Sequence, residues 1–265
     1  MPRRTPPSPT DWLLIIPTLI IILFLFLPIL GLLLKGIGGN LIAALLMPAS
    51  LQALRLTLLT SLLSIVIIIL LGTPLAFVLA WWEFKGKRGI EMLVDLPLVL
   101  PPSVAGLGLL LAFGRQGLLG TQLNIIGISI PFTTAAVIMA QLFVSTPFYV
   151  RSARTGFAAL DVQLEEAALV EGANAWKLFS LVTIPLSRRA LASGTILALA
   201  RAIGEFGATI LFAGNLRGVT QTMPLAIYLG FETSIDMAVA LSVILVLVSG
   251  ILLWSLRKLE DVEKS

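Results

Sequence analysis

The chain contains no cysteine and no histidine, and only 12% of its 265 residues are charged. Without these two residue types there is no disulfide framework, zinc site, Cys-His nucleophile or imidazole proton shuttle. Soluble domains carry charge on about a quarter of their residues. Half that share, with 58% apolar residues, excludes an ordinary globular enzyme, a disordered chain and a nucleic-acid-binding chain. The composition predicts a protein surrounded by lipid.

Six long apolar runs can each span a bilayer as a helix, since a spanning helix needs about 20 mostly apolar residues. We place them at residues 12–34, 54–82, 92–113, 132–150, 190–212 and 237–256. Pro97, Pro101 and Pro102 predict a kink in the third helix, and Pro147 predicts a break in the fourth. The predicted fold is an all-α integral membrane protein with six transmembrane helices.

Basic residues are unevenly distributed between the two sides of this predicted bundle. An even number of helices puts both termini on one side, and that side carries thirteen Lys and Arg residues: Arg3, Arg4, Lys85, Lys87, Arg88, Arg151, Arg154, Lys177, Arg188, Arg189, Arg257, Lys258 and Lys264. The other side carries three: Lys35, Arg115 and Arg217. Because basic residues are retained in the cytoplasm, we predict a cell-membrane protein with cytoplasmic tails at 1–11 and 259–265. This topology accounts for the net charge of +4, so no nucleic-acid partner is needed.

The predicted cytoplasmic segment 151–189 is too long for a simple connection, and it is patterned. Asp161 is placed to cap a short helix and Gly172 to end it in the left-handed conformation. Asn174 is placed to cap a second short helix, which Pro185 is expected to stop. A short helix of this kind fits either the groove of a partner protein or the surface of the inner leaflet.

The residues of this segment resemble the EAA signature of ATP-binding-cassette importer permeases. The match consists of Glu166-Ala167-Ala168, then Gly172, then Val182-Thr183-Ile184-Pro185, with Val182 in place of Ile and Ile184 in place of Leu. The resemblance implies a type I importer permease domain over residues 54–258. It also implies that 151–189 is a coupling loop that docks on an ATPase subunit through Glu166, Ala167, Ala168 and Gly172.

The chain has no phosphate-binding loop of its own. Its only Gly-Lys step, Gly86-Lys87, lacks both a following Ser or Thr and a glycine five residues before it. ATP hydrolysis is therefore expected on a separate subunit. We expect this chain to be a transport subunit rather than an enzyme, with no cofactor or metal, and ATP and Mg²⁺ to bind to the partner ATPase.

A second resemblance, to the molybdate permease branch of that family, lies in four stretches: residues 96–102, 200–209, 213–215 and 220–228. It implies import of a tetrahedral oxyanion, molybdate or tungstate, by a homodimer of this chain supplied by an extracytoplasmic binding protein. Related sulfate permeases share part of the pattern, so a sulfate or thiosulfate permease is the alternative. Two other classes of protein fit the sequence less well. If the chain were an ion-coupled secondary transporter, the loop at Glu166 would have no explanation. If it were an intramembrane enzyme, it would need paired acid and base groups, which the predicted helices lack.

Arg201 and Glu205 are a pair of opposite charges inside the predicted fifth helix. Charges in lipid are costly, and residues four apart share a helix face, so the two are expected to face the bundle interior and to pair. They serve either as a structural ion pair or, with Gly204 and Phe206, as part of a translocation path or gate. A freely accessible Arg would bind an oxyanion too tightly to release it, whereas conduction needs weak binding sites. This favours the interpretation of Arg201 and Glu205 as a structural ion pair.

Overall fold

The computed structural model describes residues 12–37, 40–161, 163–164 and 170–261, and these residues contain helices and no strand. The α-helices are α1 (Trp12–Ile37), α2 (Leu41–Leu46), α3 (Pro48–Trp81), α4 (Lys87–Val99), α5 (Pro102–Phe113), α6 (Gly120–Ile125), α7 (Thr134–Ala158), α8 (Ala175–Lys177), α9 (Ile184–Leu186), α10 (Arg188–Ile203), α11 (Gly207–Phe212), α12 (Met223–Thr233) and α13 (Ile235–Asp261). A π-helical turn, Leu178–Thr183, joins α8 to α9.

Among the described residues, three helical stretches are long and apolar enough to cross a membrane: Leu13–Ile37, Pro48–Trp81 and Ile235–Leu259. The first of these is almost entirely exposed and packs on α13, where a Cβ added to Gly36 would lie 2.9 Å from Val243 Cγ2. An apolar helix that is exposed around most of its circumference needs lipid or protein to cover it, as expected of a membrane protein.

Helices α3, α7 and α10 form the centre of the bundle, with Ile68, Tyr149 and Ala198 buried between them. Small residues let α7 and α10 approach closely. A Cβ added to Gly194 would lie 2.9 Å from the Cβ of Ser152, and one added to Gly156 would collide with the methyl group of Ala190. Close contact through small residues is a typical basis for helix packing in membranes, where burial from water supplies little attraction.

The predicted third helix is divided completely rather than kinked. Helix α4 ends at Val99, and α5 begins at Pro102, after the extended residues Leu100 and Pro101. Proline restricts the preceding residue to extended conformations. Two consecutive prolines therefore end one helix and begin the next.

Two predictions about single prolines were wrong. Pro147 lies inside α7, which runs unbroken to Ala158, and Pro185 lies inside α9. Pro147 is buried, so packing against neighbouring helices supports the helix there. The hydroxyl of the preceding Thr146 adds a hydrogen bond to the carbonyl of Leu142 (2.7 Å). Before Pro185, the π-helical turn changes the hydrogen-bond register, with the N–H of Ile184 donating to Phe179.

Candidate functional site

The predicted fifth helix, 190–212, is wrong as a single helix because the structure breaks it at the charged pair. Helix α10 ends at Ile203, and α11 starts at Gly207, so Gly204, Glu205 and Phe206 connect the two. The N–H of Gly204 still donates to the carbonyl of Ala200 (3.3 Å), which closes the last turn of α10. We call residues 204–206 the helix break.

Glu205 holds the helix break together from inside the protein. Its side chain is 1% exposed, and Oε2 lies 2.6 Å from Nη1 of Arg201 in the last turn of α10. Oε1 accepts a hydrogen bond from the N–H of Ala208 (2.6 Å) in the first turn of α11. A carboxylate in this position satisfies one of the free N–H groups that every helix start leaves. One side chain therefore links the end of one helix to the start of the next, and the predicted contact with Arg201 is present.

Arg201 is more accessible than its partner. Its side chain is 27% exposed, whereas that of Glu205 is buried. The guanidinium can therefore pair with Glu205 and still reach the surface of the bundle. Gly204 is exposed at the same break, where a Cβ would have its nearest neighbour at 3.6 Å, and Phe206 is half-buried.

A buried amide, which the sequence analysis missed, supports the same level of the bundle. Nε2 of Gln141 donates to the carbonyl of Ala202 (3.2 Å), and its Oε1 accepts from the hydroxyl of Ser64 (3.0 Å). Gln141 is almost fully buried, and its contacts join α3, α7 and α10. The sequence signal for this role was a single Gln in an otherwise apolar run, because a buried polar side chain needs hydrogen-bond partners on neighbouring helices.

Helix α11 packs closely against α5 of the same chain. A Cβ added to Gly207 would lie 2.5 Å from Cβ of Pro102, and one added to Gly106 would lie 2.7 Å from the carbonyl oxygen of Ala208. The two broken helices thus meet at their breaks, because α5 begins at Pro102 and α11 at Gly207.

Helix α12 contacts the helix break through an aromatic ring. The rings of Phe206 and Tyr228 are in contact, with centroids 5.4 Å apart and planes tilted by 49°. The start of α12 is fixed by the N–H of Met223, which donates to the buried hydroxyl of Thr57 (2.7 Å). The loop before it is braced by Gln221, whose Nε2 donates to Oδ1 of Asn215 (2.9 Å). Tyr228 was not among the predicted site residues.

The coupling segment is described only in part. Glu166, Ala167 and Ala168 lie outside the described residues. Gly172 has φ of +87°, so the predicted left-handed conformation is confirmed. Asn174 also caps the next helical turn as predicted, its Oδ1 accepting from the N–H of Lys177 (2.8 Å).

Contacts between successive aromatic rings connect this segment to the bundle. The ring of Phe179 lies 5.1 Å from Phe77 on α3 and 6.2 Å from Trp176, and Phe77 in turn contacts Phe157 on α7 at 5.8 Å. Trp176 is nevertheless 72% exposed. The segment 174–186 therefore presents a large aromatic side chain outward while it is anchored to two central helices.

The described residues thus combine long apolar helices exposed at the bundle surface with two broken helices that meet at their breaks. The chain belongs to the family of inner membrane components of binding-protein-dependent transport systems, whose model matches residues 68–261. The chain is accordingly a transport component and not an enzyme.

Similar proteins include permeases named for molybdenum transport and for sulfate transport. The chain is 42% identical over 246 residues to the molybdenum transport system permease protein ModB of Mycobacterium tuberculosis, covering 93% of each protein. It is 39% identical to ModB of Escherichia coli over 69% of this chain and 80% of that protein. Identity to the sulfate transport system permease protein CysW of Synechococcus elongatus is 38%, over 72% of this chain and 68% of that protein.

Solved transporters share the fold. A subunit of a bacterial alginate ABC transporter, crystallised in complex with an alginate pentasaccharide-bound periplasmic protein, aligns with a TM-score of 0.73. The alignment covers 92% of this chain and 93% of that one at 20% identity. The MetNI methionine ABC transporter aligns with a TM-score of 0.61 at 17% identity, over 82% and 97% of the two chains. These similarities show the fold alone.

Proposed function

We propose that this protein is the permease subunit of an ATP-binding-cassette importer that carries molybdate or tungstate into the cytoplasm. The observation that carries the proposal is the 42% identity over 93% of the chain to a molybdenum permease. Phe206 and Tyr228 both lie in stretches that resemble the molybdate branch, and their rings are in contact in the structure. The second candidate is sulfate, which is favoured by the similarity to a sulfate permease.

The proposed assembly contains two copies of this chain, two cytoplasmic ATPase subunits and an extracytoplasmic oxyanion-binding protein. ATP and Mg²⁺ bind to the ATPases. Each ATPase docks on the coupling loop through Glu166, Ala167, Ala168 and Gly172. The exposed Trp176 follows Gly172 by four residues in the same loop. Movement of the loop reaches the bundle through Phe179 and Phe77, because their rings are in contact.

Within the bundle we assign the helix break to the translocation path. Arg201 faces the path and offsets part of the charge of the passing anion, while Gly204 and Phe206 line it. Glu205 holds Arg201 and the start of α11 in place, since both of its oxygens are engaged within the protein. A guanidinium that is already paired binds an oxyanion less tightly, as release requires.

The proposed topology has six spans, with both termini and the coupling loop in the cytoplasm. We expect reporter fusions after Phe84 and Ser180 to report a cytoplasmic location, and fusions after Gln116 and Arg217 to report the outside. The reason is the retention of basic residues on the cytoplasmic side. An external reporter at Ser180 would contradict the coupling role, because an ATPase in the cytoplasm could not reach that segment.

The subunit role is tested by co-purification. When expressed together in the cell membrane, this chain and its ATPase should be recovered as a complex in detergent, with equal numbers of the two subunits. Recovery of this chain alone, with undiminished oxyanion uptake driven by an ion gradient, would instead identify a secondary transporter.

A further inference from the structure

The contact between Phe206 and Tyr228 joins two elements that are distant in the chain. Phe206 is the last residue of the helix break, and Tyr228 lies near the middle of α12. Phe206 is half-buried and Tyr228 is 55% exposed, so the ring pair sits at the edge of the packed bundle and not inside its core.

The position of the ring pair relative to Arg201 follows from chain direction. In the proposed topology α10 runs outward from the cytoplasm, so Phe206 lies farther toward the outside than Arg201. Helix α12 belongs to the segment between α11 and α13, which this topology places on the outer side. The two rings therefore lie between the outer surface and the charged pair.

Both sides of the contact are held by rigid neighbours. Phe206 follows Glu205, which is bonded to α10 and α11. Helix α12 is fixed at Met223 by Thr57, and near its end a Cβ on Gly230 would lie 2.8 Å from Cβ of Ala238 on α13. Because each ring belongs to an element that is fixed by these contacts, the two rings separate only when the helix break and α12 move relative to each other.

We propose that Phe206 and Tyr228 form the outer gate of the translocation path, and that Tyr228 is the residue that α12 contributes to it. This inference rests on the proposed oxyanion transport. The faces of two aromatic rings in contact are apolar and carry negative partial charge, so they do not attract a hydrated dianion. An apolar constriction of this kind blocks ions by excluding water. Transport then requires α12 to separate from the helix break.

The first test measures leakage through the resting complex. The complete transporter with Tyr228→Ala is reconstituted in liposomes loaded with molybdate, and molybdate loss is followed without ATP or binding protein. Because an aromatic contact contributes modestly to the closed state, removing it should raise the leak by about three- to tenfold. Tyr228→Phe keeps the ring and should leak like the parent.

Phe231 provides a matched control. It lies three residues farther along α12, is 68% exposed, and has no ring contact among the residues that the structure describes. Phe231→Ala should leave the leak unchanged. Equal leakage from the Tyr228→Ala, Phe231→Ala and parent complexes would overturn the gate.

The second test does not depend on removing a ring. Since the chain has no cysteine, Phe206→Cys with Tyr228→Cys gives a unique pair for a short, reducible thiol crosslinker. Crosslinking should stop transport, and reduction should restore it, whereas either single variant treated alike should keep transporting. Undiminished transport by the crosslinked protein would overturn the gate.

Failure of the gate can be told from failure of the substrate assignment. The experiments are run with molybdate and with sulfate, each with its own binding protein. If the parent transports sulfate alone, the molybdate assignment fails, while the crosslink still tests the gate on sulfate. If the parent transports neither ion, the proposed function fails, and the gate falls with it.

Discussion

Replacing Glu205 with Gln is expected to destabilise the assembled bundle by about 3–5 kcal/mol, the range for removing one partner of a buried ion pair. Gln can still accept the hydrogen bond from Ala208, but it leaves the partly buried guanidinium of Arg201 without its counter-charge. The loss should appear as a lower midpoint of thermal unfolding in detergent and as less protein in the membrane. Glu205→Leu should cost more, because it also removes the cap of α11.

The double variant Arg201→Met with Glu205→Leu separates stability from transport. With both charges gone no buried charge is stranded, so much of the stability should return. We expect this variant to insert, to assemble with the ATPase and to retain reduced molybdate uptake. Complete loss of uptake in a well-assembled double variant would instead make Arg201 indispensable for the passage of the anion.

Glu91 supplies the control for the ion pair. It pairs with Arg154 at 2.9 Å, but the two side chains are 22% and 40% exposed. Partly exposed pairs contribute little, so Glu91→Gln should cost no more than about 1 kcal/mol. If Glu91→Gln lowered the stability as much as Glu205→Gln, burial would not explain the contribution of the Arg201–Glu205 pair.

Replacing Gly172 with Val is expected to weaken ATPase docking by about tenfold, which corresponds to about 1.4 kcal/mol. A β-branched residue is strained in the left-handed conformation, so the loop must distort at the turn that follows the docking residues. Glu166→Lys should weaken docking as well, by reversing a charge on the docking surface. The measurement is the affinity of the ATPase for the purified permease, with membrane levels as a check on folding.

Gly86 is the matched control for Gly172. It has φ of +93°, it lies in another predicted cytoplasmic loop, and a Cβ there meets no neighbour within 4 Å, as at Gly172. Gly86→Val therefore imposes the same backbone strain away from the proposed docking surface and should leave ATPase affinity unchanged. Equal losses from both variants would mean that the coupling loop has no special role in docking.

Local features of the site could be predicted from the sequence. The spacing of Arg201 and Glu205 predicts their contact, because residues four apart meet within one helical turn even when the helix ends between them. Gly172 adopts the left-handed conformation because it has no Cβ. Asn174 caps the next helical turn because its side-chain oxygen can accept a hydrogen bond from the backbone. These features depend on few neighbours, so a single sequence is sufficient.

The features that could not be predicted depend on distant contacts. The helix break was predicted as part of one apolar helix; in the structure it coincides with the burial of Glu205 and the close approach of Gly207 to Pro102. Gln141 and Tyr228 acquire their roles from residues more than twenty positions away. Pro147 stays inside a helix because neighbouring helices support it, which the residue itself does not reveal.

The most direct test of the account is molybdate uptake by the reconstituted complex. Liposomes carrying the permease and its ATPase, with ATP inside and the molybdate-loaded binding protein outside, should accumulate molybdate and hydrolyse ATP faster than without the binding protein. Neither response should occur when the ATPase is omitted. Accumulation that persists without the ATPase, or stimulation by a sulfate-loaded binding protein alone, would contradict the assignment of this chain as a molybdate permease.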